Sequence, residues 1–422
     1  MRWTFTLRPG LQWSNGEPLN AAHFERALIA LLDPNSVSPY AQLLDGVVGV
    51  RAADGRKVEI TTSRPLPQLP AILALPFAAP LYESSPGGDP STSNGAYRLA
   101  SRTPGVSLQL ERNPRYHAAA DVRIEHVRYL TLDDLGTELN LYRSGEVDVT
   151  SEVPNASIDW IRTNLPGELF ASPYLSTYGY AFNLRRVRDT GARRALALAI
   201  DRPQVTTMVT GAGEIPAFSW VPPGIPGYEP ARFDWAAMTT AKRESLAAQR
   251  WAEAAKRNAA PATLTLCTDA SANHHRTAVA LADQWRRVLG VEVQIVEVEW
   301  KAYLALRDQP GECDLLRFGW SADYIDPEAF LALFATSHPQ NVGHHANADY
   351  DALLQAAARQ GDLAGRGAKL AQAEQILLTD AVVIPVFHRV AKRLVKPYVE
   401  GVAANPLGHL HSRHLHFAES KK

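Results

Sequence analysis

The sequence is poor in cysteine, since Cys267 and Cys313 are the only two among 422 residues. Two cysteines form at most one bridge, which excludes a framework of several disulfides and a four-cysteine zinc site. An excess charge of one sign is also missing, because 43 lysines and arginines face 44 aspartates and glutamates. The balance argues against a sequence-wide field that attracts nucleic acid or an anionic membrane, so binding must depend on local groups.

Long hydrophobic runs are absent as well. The most apolar stretch, residues 71–81, contains Pro76 and Pro80 and is too short for a membrane-spanning helix. The chain opens on an alternating segment, residues 2–7, which predicts a strand and not a signal peptide. A soluble chain is therefore expected. Because a strand needs a pairing partner, a true start further upstream is kept open.

Enzymatic signatures are scarce too. The sequence contains no G-x-S-x-G, no G-x-x-x-x-G-K-[ST], no G-x-G-x-x-G and no H-E-x-x-H. The common hydrolase, nucleotide-binding and zincin interpretations therefore lack an anchor. We expect a protein that is not an enzyme and that uses no cofactor.

Helical and strand patterns alternate along the chain, which predicts the α/β class. The clearest unit is an amphipathic helix over 273–289, with Asn273 as N-cap, then Gly290 and a strand over 291–299. A stretch rich in Pro, Gly and Ser, residues 84–94, suggests a linker. The other predicted helices are 24–32, 135–144, 350–359 and 367–378, and the other predicted strands include 57–62, 147–149 and 382–387.

One segment, residues 313–327, has the composition of a binding site. An apolar strand runs into Gly319 and Trp320, and then into Asp323 beside Tyr324. A carboxylate among aromatic rings binds an ammonium group by a charge-assisted hydrogen bond while the rings exclude water. The alternative is structural, with Asp323 and Asp326 as turn and capping residues.

Residues 317–327 resemble the signature of the family 5 extracellular solute-binding proteins, and in particular its oligopeptide-binding branch. Other segments resemble further blocks of this family in the same order. They are residues 4–18, which contain Trp13-Ser14-Asn15-Gly16, and residues 93–99, 110–116, 142–148, 194–202 and 392–399. The resemblance covers essentially the whole chain.

The resemblance implies a periplasmic-binding-protein-like clamp of the type II, three-domain oligopeptide-binding variety. A peptide would be enclosed between two lobes. Residues 1–82 would form a small extra domain of the first lobe, and residues 83–175 with 392–422 the rest of that lobe. Residues 176–391 would form the second lobe, with crossings at 174–176 and near Lys392.

The resemblance also implies a set of ligand-binding residues. Asp323 falls on the carboxylate that pairs with the α-amino group of the peptide. Gly319, Ser321 and Tyr40 would hydrogen-bond the backbone of the peptide. Tyr174 and Trp320 would line the site. Arg307, Arg317 and His274 would be the cationic groups that meet the carboxyl end of the peptide. No metal ligand is implied for this set.

Several positions depart from the family pattern. Ser176 and Ser321 stand where the family has a disulfide, which fits either a reducing compartment or the loss of a staple worth about 2 to 4 kcal/mol. Thr210 stands where a lysine near the ligand is found. The family's leader and first several dozen residues have no counterpart here. The location is therefore expected to be periplasmic by resemblance, and cytoplasmic if the start is as written.

The expected function is that of the substrate-binding protein of an ABC importer, which captures short peptides and delivers them to a membrane permease. The protein is expected to be a monomer that binds no nucleic acid. The alternatives are a cytoplasmic or decayed sensor of the same fold, and a member that binds nickel or another small solute. Two interpretations are open for the histidines near the C-terminus, His409, His411, His414 and His416. They bind a metal, or they belong to a solvated terminal strand.

Overall fold

The computed structural model describes residues 1–36, 38, 40–82 and 91–418. Helices and strands are mixed along these residues, as predicted. The helices are α1 (Ala21–Leu32), α2 (Leu69–Ile72), α3 (Leu135–Ser144), α4 (Ile158–Asn164), α5 (Thr190–Leu198), α6 (Arg202–Gln204), α7 (Thr240–Lys256), α8 (Ala272–Leu289), α9 (Trp300–Asp308), α10 (Glu328–Leu331), α11 (Ala348–Ala358) and α12 (Leu363–Thr379). Turns of 3-10 helix lie at Ala41–Leu44, Pro76–Ala78, Ala119–Asp121, Asn155–Ser157, Ala332–Phe334 and Ser412–His414, and a π-helical turn at Val205–Thr210.

The strands of the described residues belong to separate sheets. They are β1 (Arg2–Thr6), β2 (Val47–Asp54), β3 (Lys57–Thr62), β4 (Tyr97–Thr103), β5 (Ser107–Arg112), β6 (His126–Leu130), β7 (Leu169–Phe182), β8 (Ile215–Pro216), β9 (Thr263–Asp269), β10 (Glu292–Val298), β11 (Leu315–Ser321), β12 (Val383–Leu394), β13 (Val399–Glu400) and β14 (His416–Phe417). The sheet orders are β1-β3-β2, β4-β5-β6, β10-β9-β11-β7-β12-β8 and β13-β14.

The chain divides into two compact units. The first contains Met1–Val149, Val395–Ala403 and His409–Lys422, and the second contains Thr150–Leu394 and Ala404–Gly408. The predicted boundaries of the three-domain clamp stay a prediction beside this division.

The first unit holds three antiparallel sheets, β1-β3-β2, β4-β5-β6 and the short β13-β14. The opening strand is confirmed, since β1 pairs with β3. Alternation on β3 buries Val58 and Ile60, as expected for a sheet with one covered face. Helix α1 starts three residues before the predicted position, because Asn20 caps it and forms a reciprocal capping box with His23.

The second unit is built on the mixed sheet β10-β9-β11-β7-β12-β8, in which β7 lies between the antiparallel strands β11 and β12. Backbones approach closely here, since a Cβ at Gly179 of β7 would lie 2.2 Å from the Ile384 carbonyl oxygen. The core contains Tyr180, Leu196 and Trp285, and the Trp285 indole donates to the Leu196 carbonyl at 2.8 Å. This packing fixes β7 and helix α8 relative to each other.

The predicted helix, glycine and strand around Gly290 are confirmed as α8, Gly290 and β10. Gly290 takes the left-handed conformation that ends the helix, with φ 70°. The predicted N-cap is wrong, because α8 begins at Ala272 with Ser271 at the cap position. Asn273 instead lies in the first turn, where its side chain accepts from the Asn155 amide at 2.9 Å and donates to Glu152.

Two cross-links join neighbouring strands of this sheet. Cys267 on β9 is disulfide-bonded to Cys313, just before β11, with an S–S distance of 1.99 Å. The two cysteines of the sequence had allowed such a bridge without predicting it. Ser176 and Ser321 lie opposite each other on β7 and β11, and their hydroxyls hydrogen-bond at 2.9 Å. The two serines therefore link β7 to β11 by a hydrogen bond.

Some predicted elements differ from the structure. Residues 147–149 are not a strand, since only Val149 forms a bridge, with Val395. The strand predicted over 382–387 continues to Leu394. His409 and His411 precede a 3-10 turn and do not lie on a strand. Residues 84–90 of the predicted linker lie outside the described residues, and within the described residues no helix is long and apolar enough to cross a bilayer.

Candidate functional site

A cavity of about 220 Å³ lies in the second unit. Aromatic rings and charged side chains share its wall. Its lining residues are Ser151, Glu152, Asn155, Tyr174, Tyr178, Glu214, Asn273, His274, Thr277, Phe387, Arg389, Val390, Ala391, Lys392, Arg393 and Gly408. His274 is neutral, because burial lowers its pKa, so three cations (Arg389, Lys392 and Arg393) face two carboxylates (Glu152 and Glu214). The wall therefore carries a net positive charge.

An irregularity between β7 and β12 shapes this wall. His388 of β12 pairs with Thr177 of β7, and Val390 pairs with Pro173. Three residues of β7, 174–176, therefore stand opposite the single residue Arg389 of β12. Such bulges interrupt the ladder and redirect side chains. Tyr174 and Arg389 are brought together here, and both line the cavity.

Arg389 makes three contacts with polar or aromatic groups. One guanidinium nitrogen lies 3.1 Å from His274 Nε2, and the guanidinium carbon lies 5.4 Å from the centre of the Tyr178 ring. Its side chain also hydrogen-bonds to Tyr174. Among the described residues, no carboxylate forms an ion pair with Arg389, although Glu152 on the same wall attracts it electrostatically. Its positive charge is therefore not neutralised by direct contact.

A second charged group, here named the Asp269 cluster, consists of Asp269, His274 and Arg317. Asp269 ends strand β9 and receives two bonds from Arg317 of β11, at 2.7 and 2.9 Å to its Oδ1. His274 Nδ1 lies 3.0 Å from both carboxylate oxygens. Burial raises the pKa of Asp269, but the contacts with His274 and Arg317 outweigh it and hold that pKa well below the usual range. Asp269 is therefore ionised.

Arg317 is further enclosed by aromatic rings. Its guanidinium carbon lies 5.6 Å from the centre of the Trp300 ring and 5.2 Å from that of Tyr303. The Tyr303 hydroxyl donates to the Arg317 carbonyl oxygen. With an exposed fraction of 8%, Arg317 is committed to Asp269 and these rings.

His274 is neutral, although it was predicted as a cationic group. Burial lowers its pKa, and the nearby Arg317 and Arg389 lower it further against the opposing effect of Asp269. The Asp269 carboxylate accepts the proton of Nδ1, which leaves Nε2 as an acceptor for the Arg389 N–H. The ring thus orients Arg389 without adding a charge to the wall.

Tyr174 connects the cavity to strand β11. Burial raises the pKa of its hydroxyl, but Arg389 and hydrogen bonds with Ser176 and Ser321 bring that pKa below its usual value. Ser321 lies two residues before Asp323. The chain that carries Asp323 therefore starts from a residue in contact with the cavity wall.

A buried ion pair closes another side of the cavity. Lys392 Nζ lies 2.8 Å from Glu214 and also bonds to the Asn155 side chain. Burial raises the pKa of Glu214, whereas Lys392 lowers it and prevails. Lys392 is thus neutralised, in contrast to Arg389.

The predicted site residues fall in several places. Tyr174 and His274 line the cavity, Ser321 hydrogen-bonds to Tyr174, and Arg317 is joined to His274 through Asp269. Gly319 and Trp320 lie toward the C-terminal end of β11, and Asp323 lies in the loop after it. Arg307 lies on helix α9. Tyr40 lies in the first unit, where its ring stacks on Phe77 at 5.2 Å. Their roles in binding stay predictions.

The two aspartates of the 313–327 segment differ. Asp326 is buried, pairs with Arg366 at 2.9 Å and accepts from the Glu328 amide at 2.8 Å. Asp326 therefore has a structural role as an ion-pair and capping residue. Asp323 is half-buried in the preceding loop. The structural interpretation therefore holds for Asp326, and the binding interpretation stays open for Asp323.

Three residues of the site, Arg389, Asp269 and Glu214, were not among the predicted ones. A usable signal existed for Asp269, because carboxyl ends of parallel strands next to helices often carry ligand-binding groups, and Asp269 ends β9. A charge at Arg389, two residues after a run predicted as a buried strand, was a second signal. Glu214 follows Gly213 in a loop and carried no pattern.

The chain was compared with known proteins and protein families. The family model for "Bacterial extracellular solute-binding proteins, family 5 Middle" matches residues 1–341. The periplasmic oligopeptide-binding protein OppA of Salmonella typhimurium is 34% identical over 98% of this chain and 81% of its own. The probable deoxycholate-binding periplasmic protein YgiS of Escherichia coli is 34% identical over 98% of this chain and 82% of its own.

A solved structure agrees with these relatives. The crystal structure of Haemophilus influenzae OppA in complex with RPPGFSPFR matches with a TM-score of 0.86 at 29% identity, covering 99% of this chain and 87% of that chain. The predicted fold class is confirmed, and both relatives are named as binding proteins. The chain belongs to family 5 of the bacterial extracellular solute-binding proteins.

Proposed function

We propose that this protein is the substrate-binding protein of an ABC importer, and that it captures short peptides and delivers them to a membrane permease. It binds its ligand without chemical change and works in the periplasm, as the names of its relatives suggest. Asp323 holds the α-ammonium group of the peptide, and the cationic cavity lies toward its carboxyl end.

The observation that carries this proposal is the placement of opposite charges on the two neighbours of β7. Asp323 follows β11, and the net positive cavity lies against β12. Two strands that flank a third are about 10 Å apart. An extended peptide of three residues spans roughly 10 Å and carries an ammonium at one end and a carboxylate at the other. The charges of such a peptide match those of the protein in sign, and its length is similar to the distance between the two strands.

Calorimetry with tri- to pentapeptides tests the proposal. The wild-type protein should bind them, and acetylation of the peptide N-terminus should weaken binding more than tenfold, because the ammonium is lost. Asp323→Asn should cost about 2 to 5 kcal/mol of binding free energy if the ion pair is desolvated. Asp349→Asn, an exposed aspartate on α11, serves as the matched control. Equal affinity for free and acetylated peptides would contradict the role of Asp323.

A second ligand class is tested beside the peptides. YgiS, as similar to this chain as OppA, is named for deoxycholate, which carries a carboxylate and no ammonium. The aromatic wall formed by Tyr174, Tyr178 and Phe387 would also fit an apolar anion. Binding of deoxycholate with no binding of any peptide would favour this class and contradict the proposal.

A further inference from the structure

Three cations in or beside the cavity differ in what neutralises them. Arg317 is paired with Asp269, and Lys392 is paired with Glu214. Arg389 has the cavity on one side and a neutral imidazole, a phenol ring and a tyrosine hydroxyl on the others. Of the three cations predicted to meet the ligand, Arg317 is thus paired and His274 is neutral, and Arg307 does not line the cavity. The unpredicted Arg389 lines the cavity and has no carboxylate in contact among the described residues.

The surroundings of Arg389 hold it in place for an incoming anion. The Nε2 atom of His274 accepts one N–H of the guanidinium, and Asp269 fixes the tautomer that makes this possible. A guanidinium has five N–H donors, so further donors remain for a ligand. Held by His274 and by the Tyr178 ring, Arg389 loses little side-chain freedom on binding.

The cavity is large enough for the group in question. A volume of about 220 Å³ exceeds the roughly 30 Å³ that one water molecule occupies in the liquid several-fold. It therefore accommodates a carboxylate with part of its carbon chain. The second uncompensated arginine of the wall, Arg393, donates to the Gly408 carbonyl at 3.0 Å and adds to the positive field.

We propose that Arg389 is the receptor for a carboxylate group of the ligand, and that it replaces the predicted Arg317 in this role. The carboxylate accepts two parallel N–H bonds from the guanidinium, as arginine and carboxylate commonly do. It comes from the C-terminus of a bound peptide or from an acidic side chain. This inference rests on the proposed function, and it assigns the specificity of that function to an arginine outside the predicted set.

The test uses three tripeptides: Ala-Ala-Ala, its C-terminal amide, and the amide of Ala-Glu-Ala. Calorimetry compares the wild-type protein with Arg389→Gln and with Arg389→Lys. Arg276→Gln is the matched control, because it removes the same charge from an exposed position on α8, two residues after His274. Circular dichroism checks that each variant is folded, and Arg389→Lys keeps the test valid if Arg389→Gln is not.

For peptides with a carboxylate, we expect Arg389→Gln to weaken binding at least tenfold, Arg389→Lys to weaken it less, and Arg276→Gln to change it less than twofold. For the amide of Ala-Ala-Ala, all variants should bind as the wild type does. A loss confined to Ala-Ala-Ala identifies the peptide C-terminus as the source, and a loss confined to the glutamate peptide identifies the side chain. Equal losses for the carboxylate and amide peptides, or no loss, would overturn the inference.

Failure of the proposed function is distinguishable from failure of this inference. If the wild-type protein binds no peptide, the proposed function is wrong, and the carboxylate site is tested with millimolar benzoate and its neutral analogue benzamide. Benzoate should then raise the thermal unfolding midpoint of the wild type more than benzamide does, and this difference should disappear in Arg389→Gln. Equal midpoints with both compounds would overturn the site as well.

Discussion

The Asp269 cluster and the wall around Arg389 lie side by side and share His274, yet their charges are used differently. In the cluster, an arginine is buried against a carboxylate and two aromatic rings. On the wall, an arginine faces a cavity and has no carboxylate in contact among the described residues. Position within a charged region is therefore not enough to identify a ligand-binding cation. A cation that is already paired with a carboxylate is not free to bind a ligand, so the contacts of each cation must be known.

The largest effect is expected from breaking the cluster. Asp269→Asn leaves the Arg317 charge buried without its partner, which should lower the free energy of unfolding by about 3 to 5 kcal/mol. Denaturant titration measures this loss. Glu312→Gln removes a partner of Arg186 at an exposed position and should cost at most about 1 kcal/mol.

A double variant sharpens this result. Asp269→Asn combined with Arg317→Met removes both charges, so most of the lost stability should return, because no buried charge is left unpaired. If Asp269→Asn alone lowers the free energy of unfolding no more than Glu312→Gln does, the pair of Asp269 and Arg317 does not stabilise the fold as proposed.

Acid should weaken the cluster gradually. Because the folded-state pKa of Asp269 lies below the usual carboxyl value of about 3.9, its contribution is fully present above that value and is lost as the pH falls through the folded-state pKa. The free energy of unfolding should therefore fall more steeply below pH 4 in the wild type than in Asp269→Asn. Parallel curves for the two proteins would contradict the depressed pKa.

Replacing the cation by another cation should have a smaller effect. Arg317→Lys keeps the charge next to Asp269 but loses the planar fork and its contact with the Trp300 and Tyr303 rings. We expect a loss of about 1 to 2 kcal/mol in the free energy of unfolding, measured by denaturant titration. A loss as large as that of Asp269→Asn would mean that geometry and not charge dominates the pair.

The smallest effect on stability is expected on the wall. Arg389→Gln breaks no ion pair, so the free energy of unfolding should change by less than about 1 kcal/mol. The same titration checks this, with Arg276→Gln as control. A loss of several kcal/mol would show that Arg389 is structural and would remove the contrast between the two regions.

Local patterns of the sequence predicted much of the fold. Helix α8, Gly290 and β10 follow from helical spacing, a glycine stop and strict alternation, which are all properties of neighbouring residues. The continuation of β12 beyond Phe387 could not be predicted in this way. His388 is polar but buried, because it bonds to Thr177 and Ser219, and burial lowers its pKa to about 4.

The candidate site was harder to predict, since its decisive contacts join distant parts of the chain. The motif around Asp323 is local and gave the family. The pairing of Asp269 with Arg317 spans 48 residues, and the contact between His274 and Arg389 spans 115. Whether an arginine is already neutralised depends on such contacts. Resemblance to a family therefore gave the position of Arg317 but not its partner.

A crystal structure of the protein with a bound tripeptide tests the role of Arg389 most directly. We expect an Arg389 guanidinium nitrogen within hydrogen-bond distance of a peptide carboxylate, with the Asp269 and Arg317 pair unbroken. A structure in which Arg317 leaves Asp269 to bind the peptide carboxylate, while Arg389 makes no contact with it, would contradict this role.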